Sequence, residues 1–253
     1  MIVDCFTFFN ELDLLEYRLS VVPADKFILV EATKTHSGKD KELFYEQNKA
    51  RYQKWADKIV HIIVDDFPQS EDAWVPERFQ RDAIQRGLKQ LTLSDTDTVI
   101  ISDLDEIPNP AVLSRVYSGI YALRQDAYYY NLTCFTTSNW MHAKIMNWGT
   151  YKNIGSPQIC RMSRVHGIIE QGGWHLSYFG NTEFIRTKLV SFAHTEYSGE
   201  QYTSKTNIED SVLNCKDLNC GRPFTRIPIS ANKNLPPNHE LILQLFGYSH
   251  EHQ

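Results

Sequence analysis

Four short apolar runs rich in β-branched residues, at 2–9, 27–32, 58–64 and 98–102, punctuate the first half of the chain. Helix-compatible stretches alternate with them. Leu12, Leu14, Leu15, Leu19 and Val22 make one face closed by Pro23, and residues 42–57, 75–93 and 110–123 supply the others. Strands that alternate with helices pair in parallel, because each crossover returns the chain to the same end of the sheet. The reading is an α/β, Rossmann-like fold with a mainly parallel central sheet and helices on both faces. The second half changes character. Residues 127–135 and 156–162 read as strands on either side of an aromatic, Asn-rich segment, 139–153. A glycine-bounded strand (172–180) and a helix (182–192) follow, and beyond 198 the periodicity weakens to short helices and loops.

The fourth run ends abruptly in acids: Ser102-Asp103-Leu104-Asp105-Glu106-Ile107-Pro108. In an extended segment Asp103 and Asp105 face the same side. Ligands bind open α/β sheets at the carboxyl ends of their strands. Two converging carboxylates repel each other unless a cation lies between them. Hard divalent cations, Mn²⁺ or Mg²⁺, take oxygen ligands and are commonly shared with substrate phosphates, so the turn reads as a metal–diphosphate site. Its plainer reading is a solvated strand-to-helix connection with an aspartate cap.

Composition narrows the partners. A net charge of −5 without a long basic run argues against nucleic acid. No apolar run approaches membrane-spanning length, so no transmembrane segment is expected. The five cysteines, Cys5, Cys134, Cys160, Cys215 and Cys220, are odd in number and form no CxxC pair. That pattern indicates neither a zinc site nor a disulfide framework, and reads as reduced thiols in a cytosol-like compartment.

The acidic segment Asp103–Pro108 resembles the Asp-x-Asp motif of glycosyltransferase family 17. Further segments match that family in the same order: Phe9–Leu19, Glu31 with Thr35–Lys39, Glu77-Arg78 with Gln80–Asp82, Gly173-Trp174-His175, and Lys188–Ser191. The resemblance spans about residues 3–197. It implies a GT-A fold and a metal-dependent, inverting transfer of a sugar, N-acetylglucosamine in the family's name, from a UDP-sugar to a glycan or glycoconjugate acceptor. It divides the chain into a catalytic domain, 1–197, and C-terminal helices and loops, 198–253, packed on it. Within the domain, 1–125 would bind the nucleotide and 126–197 would complete the acceptor and metal sites. The family's animal members carry an N-terminal anchor and a cysteine-bearing strand after the Trp-His pair. Here Leu176-Ser177-Tyr178 follows His175, which resembles a compact microbial or viral branch and implies a cytoplasmic location, a trimmed lumenal domain being the alternative.

Site residues follow from the same resemblance. Asp103 and Asp105 would hold Mn²⁺ or Mg²⁺ with His175 as the third ligand, and His194 competes for that place. Lys39 and Arg81 would contact the diphosphate or uridine, since Arg offers a planar fork and Lys a point charge. Asn10, Glu11, Glu31 and Asp103 would bind base or ribose, or else cap helices. For the general base that an inverting reaction needs, Glu196 is the first choice and Glu170 the second, with Asp210 and Asp217 behind them. Trp140, Trp148 and Trp174 would stack on acceptor sugars or pack in the core. A sugar-nucleotide transferase or phosphohydrolase would show a Gly- and Lys-rich phosphate loop, which Phe8-Phe9-Asn10-Glu11 is not. A non-catalytic glycan-binding relative would have no need of intact Asp103, Asp105 and His175.

Overall fold

The computed structural model describes residues 1–247 except 71, 73, 116, 193, 194, 219 and 220. Elements run in chain order as β1 (Ile2–Phe8), α1 (Leu12–Val21), β2 (Lys26–Ala32), α2 (Phe44–Gln47), β3 (Ile59–Val64), α3 (Trp74–Asp82), α4 (Ile84–Leu88), β4 (Thr98–Asp103) and β5 (Glu106–Pro108). The second half adds β6 (Tyr121–Tyr129), β7 (Cys134–Trp140), β8 (Lys144–Asn147), α5 (Trp148–Ile154), α6 (Pro157–Met162), β9 (Gly167–Ser177) and α7 (Thr182–Ser191). Last come α8 (Glu200–Thr203), α9 (Lys205–Asn214), β10 (Thr225–Arg226) and α10 (His239–Leu245).

The first-half strands pair in parallel in the order β3-β2-β1-β4. Side-chain alternation sorts their apolar residues onto two faces. Phe6, Phe8, Leu29 and Ile100 share one core with Leu14, Leu15 and Leu19 of α1. Val3, Cys5, Ile28, Val30, Val99 and Ile101 share the other with Ile84 and Leu88 of α4. Helices therefore cover both faces, as the sequence reading expects. The strand order reverses between β1 and β4, so their carboxyl ends frame a crevice.

Beyond β4 the sheet becomes mixed. β8 lies antiparallel between β4 and β6, β7 is antiparallel to β6, and β10 to β7. β9 runs parallel to β6 and antiparallel to β5. The mainly parallel character expected of the sheet thus belongs to β3-β2-β1-β4 and to the β6–β9 pair, the other pairings being antiparallel. β5 and β9 approach closely at Gly173, whose φ is +152° and where a Cβ would stand 2.1 Å from the Ile107 carbonyl oxygen. Only glycine fits there, and the approach sets His175 opposite Glu106 in the register. The result is a mixed α/β sheet flanked by helices.

Several local readings differ from the observed elements. Residues 156–162 form helix α6 rather than a strand. Pro157 sits at its first position and the Ser156 side-chain oxygen accepts from the Ile159 amide at 3.0 Å. The helix expected over 110–123 is a single 3₁₀ turn, Pro110–Val112, followed by β6. The helix expected over 75–93 breaks into α3 and α4. Residues 42–57 form α2 and a 3₁₀ stretch, Lys49–Trp55. The Asn-rich segment holds β8 and α5.

Cys134, at the start of β7, is disulfide-bonded to Cys215, which follows α9. This corrects the reading of reduced thiols: partners 81 residues apart leave no spacing signal. Cys5 and Cys160 are buried free thiols. α10 packs on α1, placing Ile242 in the same core as Leu14 and Leu15, and the Tyr17 hydroxyl donates to the Pro237 carbonyl at 2.6 Å. Among the described residues no helix is long and apolar enough to cross a membrane. Replacing Cys134 and Cys215 together by serine should lower stability by roughly 2–4 kcal/mol through the entropy regained by the unfolded chain. Urea melts of the two proteins would measure it, and equal midpoints would remove the disulfide's structural role.

Candidate active site

The acidic turn is held from beneath by one guanidinium. Arg18 of α1, fully buried, pairs with the equally buried Asp4 through Nη2 at 2.6 Å and Nε at 2.8 Å. Nη2 also donates to the Ser102 hydroxyl at 2.6 Å, and Nη1 to the carbonyls of Asp103, Leu104 and Glu106 at 2.7, 2.9 and 3.1 Å. With its carbonyls gathered inward, the turn carries Asp103 and Asp105 into a cavity of about 640 Å³ at the ends of β1 and β4.

Glu106 turns inward and organises the wall. Its carboxylate accepts from the Asp103 amide at 2.9 Å, from Trp140 Nε1 at 2.7 Å, and from both Nη atoms of Arg161. Trp140 stacks flat on His175, with ring centroids 3.9 Å apart and planes 12° from parallel. Arg161, on α6, also reaches Asp103 Oδ2 at 2.6 Å, while Arg81 of α3 reaches Asp103 Oδ1 at 3.1 Å and Glu77 at 2.8 Å. Burial alone would raise the Asp103 pKa, but the Arg161 and Arg81 charges hold it at about 2.

Asp105 has a different company. Its Oδ2 accepts from Lys188 Nζ of α7 at 2.9 Å, and Lys188 bridges onward to Glu11 at 3.2 Å. Its Oδ1 faces His175 Nε2 at 3.6 Å, too far for a hydrogen bond. Against the cost of burial, Lys188 and His175 keep the Asp105 carboxyl far below the usual range. Lys188 is likewise buried, and Asp105 and Glu11 outweigh burial to hold its ammonium charged.

The structure brings Glu11, Arg81, Asp103, Asp105 and His175 together around the cavity, and separates others from it. Glu31 is buried under the amino end of α2, accepting from the Tyr45 and Glu46 amides and paired with His61 at 3.0 Å. It is a cap, not a lining residue. Asn10 contributes its amide to the Glu11 carboxylate, and Lys39 lies exposed in the turn after β2. Glu170 is exposed on β9, paired with Arg124 at 2.9 Å. Glu196 is exposed on a 3₁₀ turn, Thr195–Tyr197, whose Tyr197 does line the cavity. His194 lies outside the described residues. Asp210 pairs with Lys216, and Asp217 with Arg222, itself a lining residue. Trp174 donates to the Asn234 carbonyl at 2.6 Å from within the core, and Trp148 stacks on Tyr151.

Apart from Arg81, sequence reasoning missed the cations that partner the acids. Arg18 and Lys188 stood inside matched segments without a role, and the signal for Arg18 was a charge on an otherwise apolar helical face. Arg161 was hidden by reading 156–162 as a strand.

The model of glycosyltransferase family 17 matches residues 1–223. No curated protein matches the chain. Among solved structures, the crystal structure of S. aureus TarS 1–349 is similar at 10% identity with a TM-score of 0.40, the match covering 85% of this chain and 71% of that one.

Arg18→Met should leave Asp4 buried without a counter-charge and cost about 3–5 kcal/mol. Chemical denaturation would measure the loss, and a loss below 1 kcal/mol (about fivefold in the folding equilibrium) would remove Arg18 from its central place.

Proposed function

The chain belongs to glycosyltransferase family 17, and from that premise we propose that it transfers a sugar, N-acetylglucosamine, from a UDP-sugar to a glycan acceptor with inversion and the help of Mn²⁺ or Mg²⁺. One observation carries the metal part of this reading. Asp105 Oδ1 and His175 Nε2 face each other in the cavity with no hydrogen bond between them, while Lys188 holds the other Asp105 oxygen and keeps that carboxylate ionised. Among the described residues no three His, Cys, Asp or Glu side chains form a cage. A site with few protein ligands suits Mg²⁺ and Mn²⁺, which keep places for water and substrate phosphate.

Asp105 and His175 are the residues that would hold the ion. Their facing Oδ1 and Nε2 atoms lie 3.6 Å apart without a hydrogen bond, and Trp140 fixes the imidazole plane. Asp103, expected as a ligand, has both oxygens engaged by guanidinium groups. Its part is to orient Arg81 and Arg161. When bound, the cation supplies Lewis-acid stabilisation to the departing diphosphate. Lys188 keeps Asp105 ionised for this purpose, and the Glu11 carboxylate fixes the loop after β1 through the Phe9 and Asn10 amides.

For the base we favour Glu196, whose chain neighbour Tyr197 lines the cavity, over Glu170, which lies on β9. The Cys134–Cys215 disulfide favours an oxidising compartment over the cytoplasmic one expected from the sequence.

Thermal shift with UDP, GDP and CDP, each with and without Mn²⁺, tests the proposal. UDP should stabilise the wild type only with Mn²⁺, by several degrees at saturating ligand, and Asp105→Ala should abolish the shift. No response to any nucleotide would end this reading. Glu196→Gln should bind the UDP-sugar normally while transfer falls at least about 100-fold. Retained transfer would take the base role away from Glu196.

A further inference from the structure

A histidine that the catalytic network does not use lines the same cavity at the carboxyl ends of the parallel strands. His36 follows β2, beside Phe8 and Phe9 at the end of β1 and Gln80 on α3. The Gln80 side chain is buried, and its Nε2 lies 3.0 Å from the Val30 carbonyl and 3.4 Å from the Phe8 carbonyl. Carbonyl oxygens only accept, so this end of the amide is the NH₂ and the opposite end, toward His36, is the oxygen. Gln80 Oε1 stands 3.0 Å from His36 Nε2. That oxygen also only accepts, so Nε2 carries the ring proton. Burial lowers the pKa of His36, keeping the ring neutral, although Glu77 and the Gln80 contact act in the other direction and Arg81 and Lys41 assist. Nδ1 is then a bare lone pair, without a hydrogen-bond partner among the described residues.

We propose that His36 Nδ1 reads the base of the nucleotide donor by accepting a hydrogen bond from a ring N–H, and so selects uracil, whose N3 carries a proton, over cytosine, whose N3 is itself an acceptor. The backbone carbonyls of Phe8 and Val30, strand atoms that cannot rotate away, fix the direction of the amide. Gln80 passes that direction to the imidazole. A mismatched base meets lone pair against lone pair and leaves a half-buried acceptor unsatisfied, which is how a polar site rejects an analogue. The inference rests on the nucleotide-sugar reading and deepens it.

Calorimetric titration of the full chain with UDP, CDP and UDP methylated at N3, all with Mn²⁺, is the test. UDP should bind at least about tenfold tighter than either analogue, the worth of one buried hydrogen bond made or lost. His36→Phe should weaken UDP about tenfold and remove the preference over CDP, leaving CDP itself nearly unchanged. Wild-type protein that binds all three alike, or a His36→Phe variant that keeps the preference, overturns the assignment while the transferase reading stands. Wild-type protein that binds no nucleoside diphosphate overturns both. Should the variant not fold, the wild-type series decides alone. An imidazole ¹⁵N spectrum adds a readout independent of affinity: it should show His36 with its proton on Nε2, and a proton on Nδ1 overturns the inference.

Discussion

A guanidinium with no exposure to water, Arg18, is the contact on which the site's geometry depends. Its planar fork satisfies one carboxylate, one hydroxyl and three carbonyls at once, a combination the compact ammonium of lysine cannot reproduce. The Phe6 ring lies 4.4 Å from the guanidinium carbon and closes the remaining face. Burying such a group is costly unless every donor is used. The turn around Asp103 supplies the acceptors, and in return its carbonyls have one arrangement that satisfies them. The acids that enter the cavity do so because the backbone beneath them is tied down.

Above that tie the charges alternate rather than cluster. Glu77, Arg81, Asp103, Arg161 and Glu106 form one line of ion pairs, and Asp105, Lys188 and Glu11 form another. Burial would raise the Asp103 and Asp105 carboxyls, and the neighbouring cations hold both below the usual range. The two aspartates of the motif consequently have separate employments. Asp103 orders arginines, while Asp105 keeps one oxygen turned to His175. The Trp140 indole serves both lines, since it donates to Glu106 and stacks on His175.

The parallel half of the fold was legible because its determinants are local. Apolar runs, the helical face of α1 and Pro23 specify β1 to β4 and the first crossover, while the helices expected over 42–57 and 75–93 break into shorter pieces. The acids of the site were legible for the same reason, standing at a strand end in a recognisable order. What escaped was whatever depends on a distant partner. Residues 156–162 have a strand-like composition, yet Pro157 and the Ser156 cap outweigh it. Glu31 stands at a strand end where it could bind base or ribose or cap a helix, and only the distant amides of Tyr45 and Glu46 decide for the cap. The Cys134–Cys215 bond joins residues that nothing in the spacing relates.

Those long reaches have a consequence for how the molecule comes apart. Arg18 meets Asp103 across 85 residues, Lys188 meets Asp105 across 83, and Arg161 meets Glu106 across 55. Any cut of the chain between Glu106 and Arg161 leaves the acids on one piece and two of their cations on the other. Each piece would then have to bury unmatched charge, a penalty larger than a small fragment's core can offset. The acidic turn therefore has no partial form. It exists when residues from Glu11 to Lys188 are folded together, and it is lost with them as a unit.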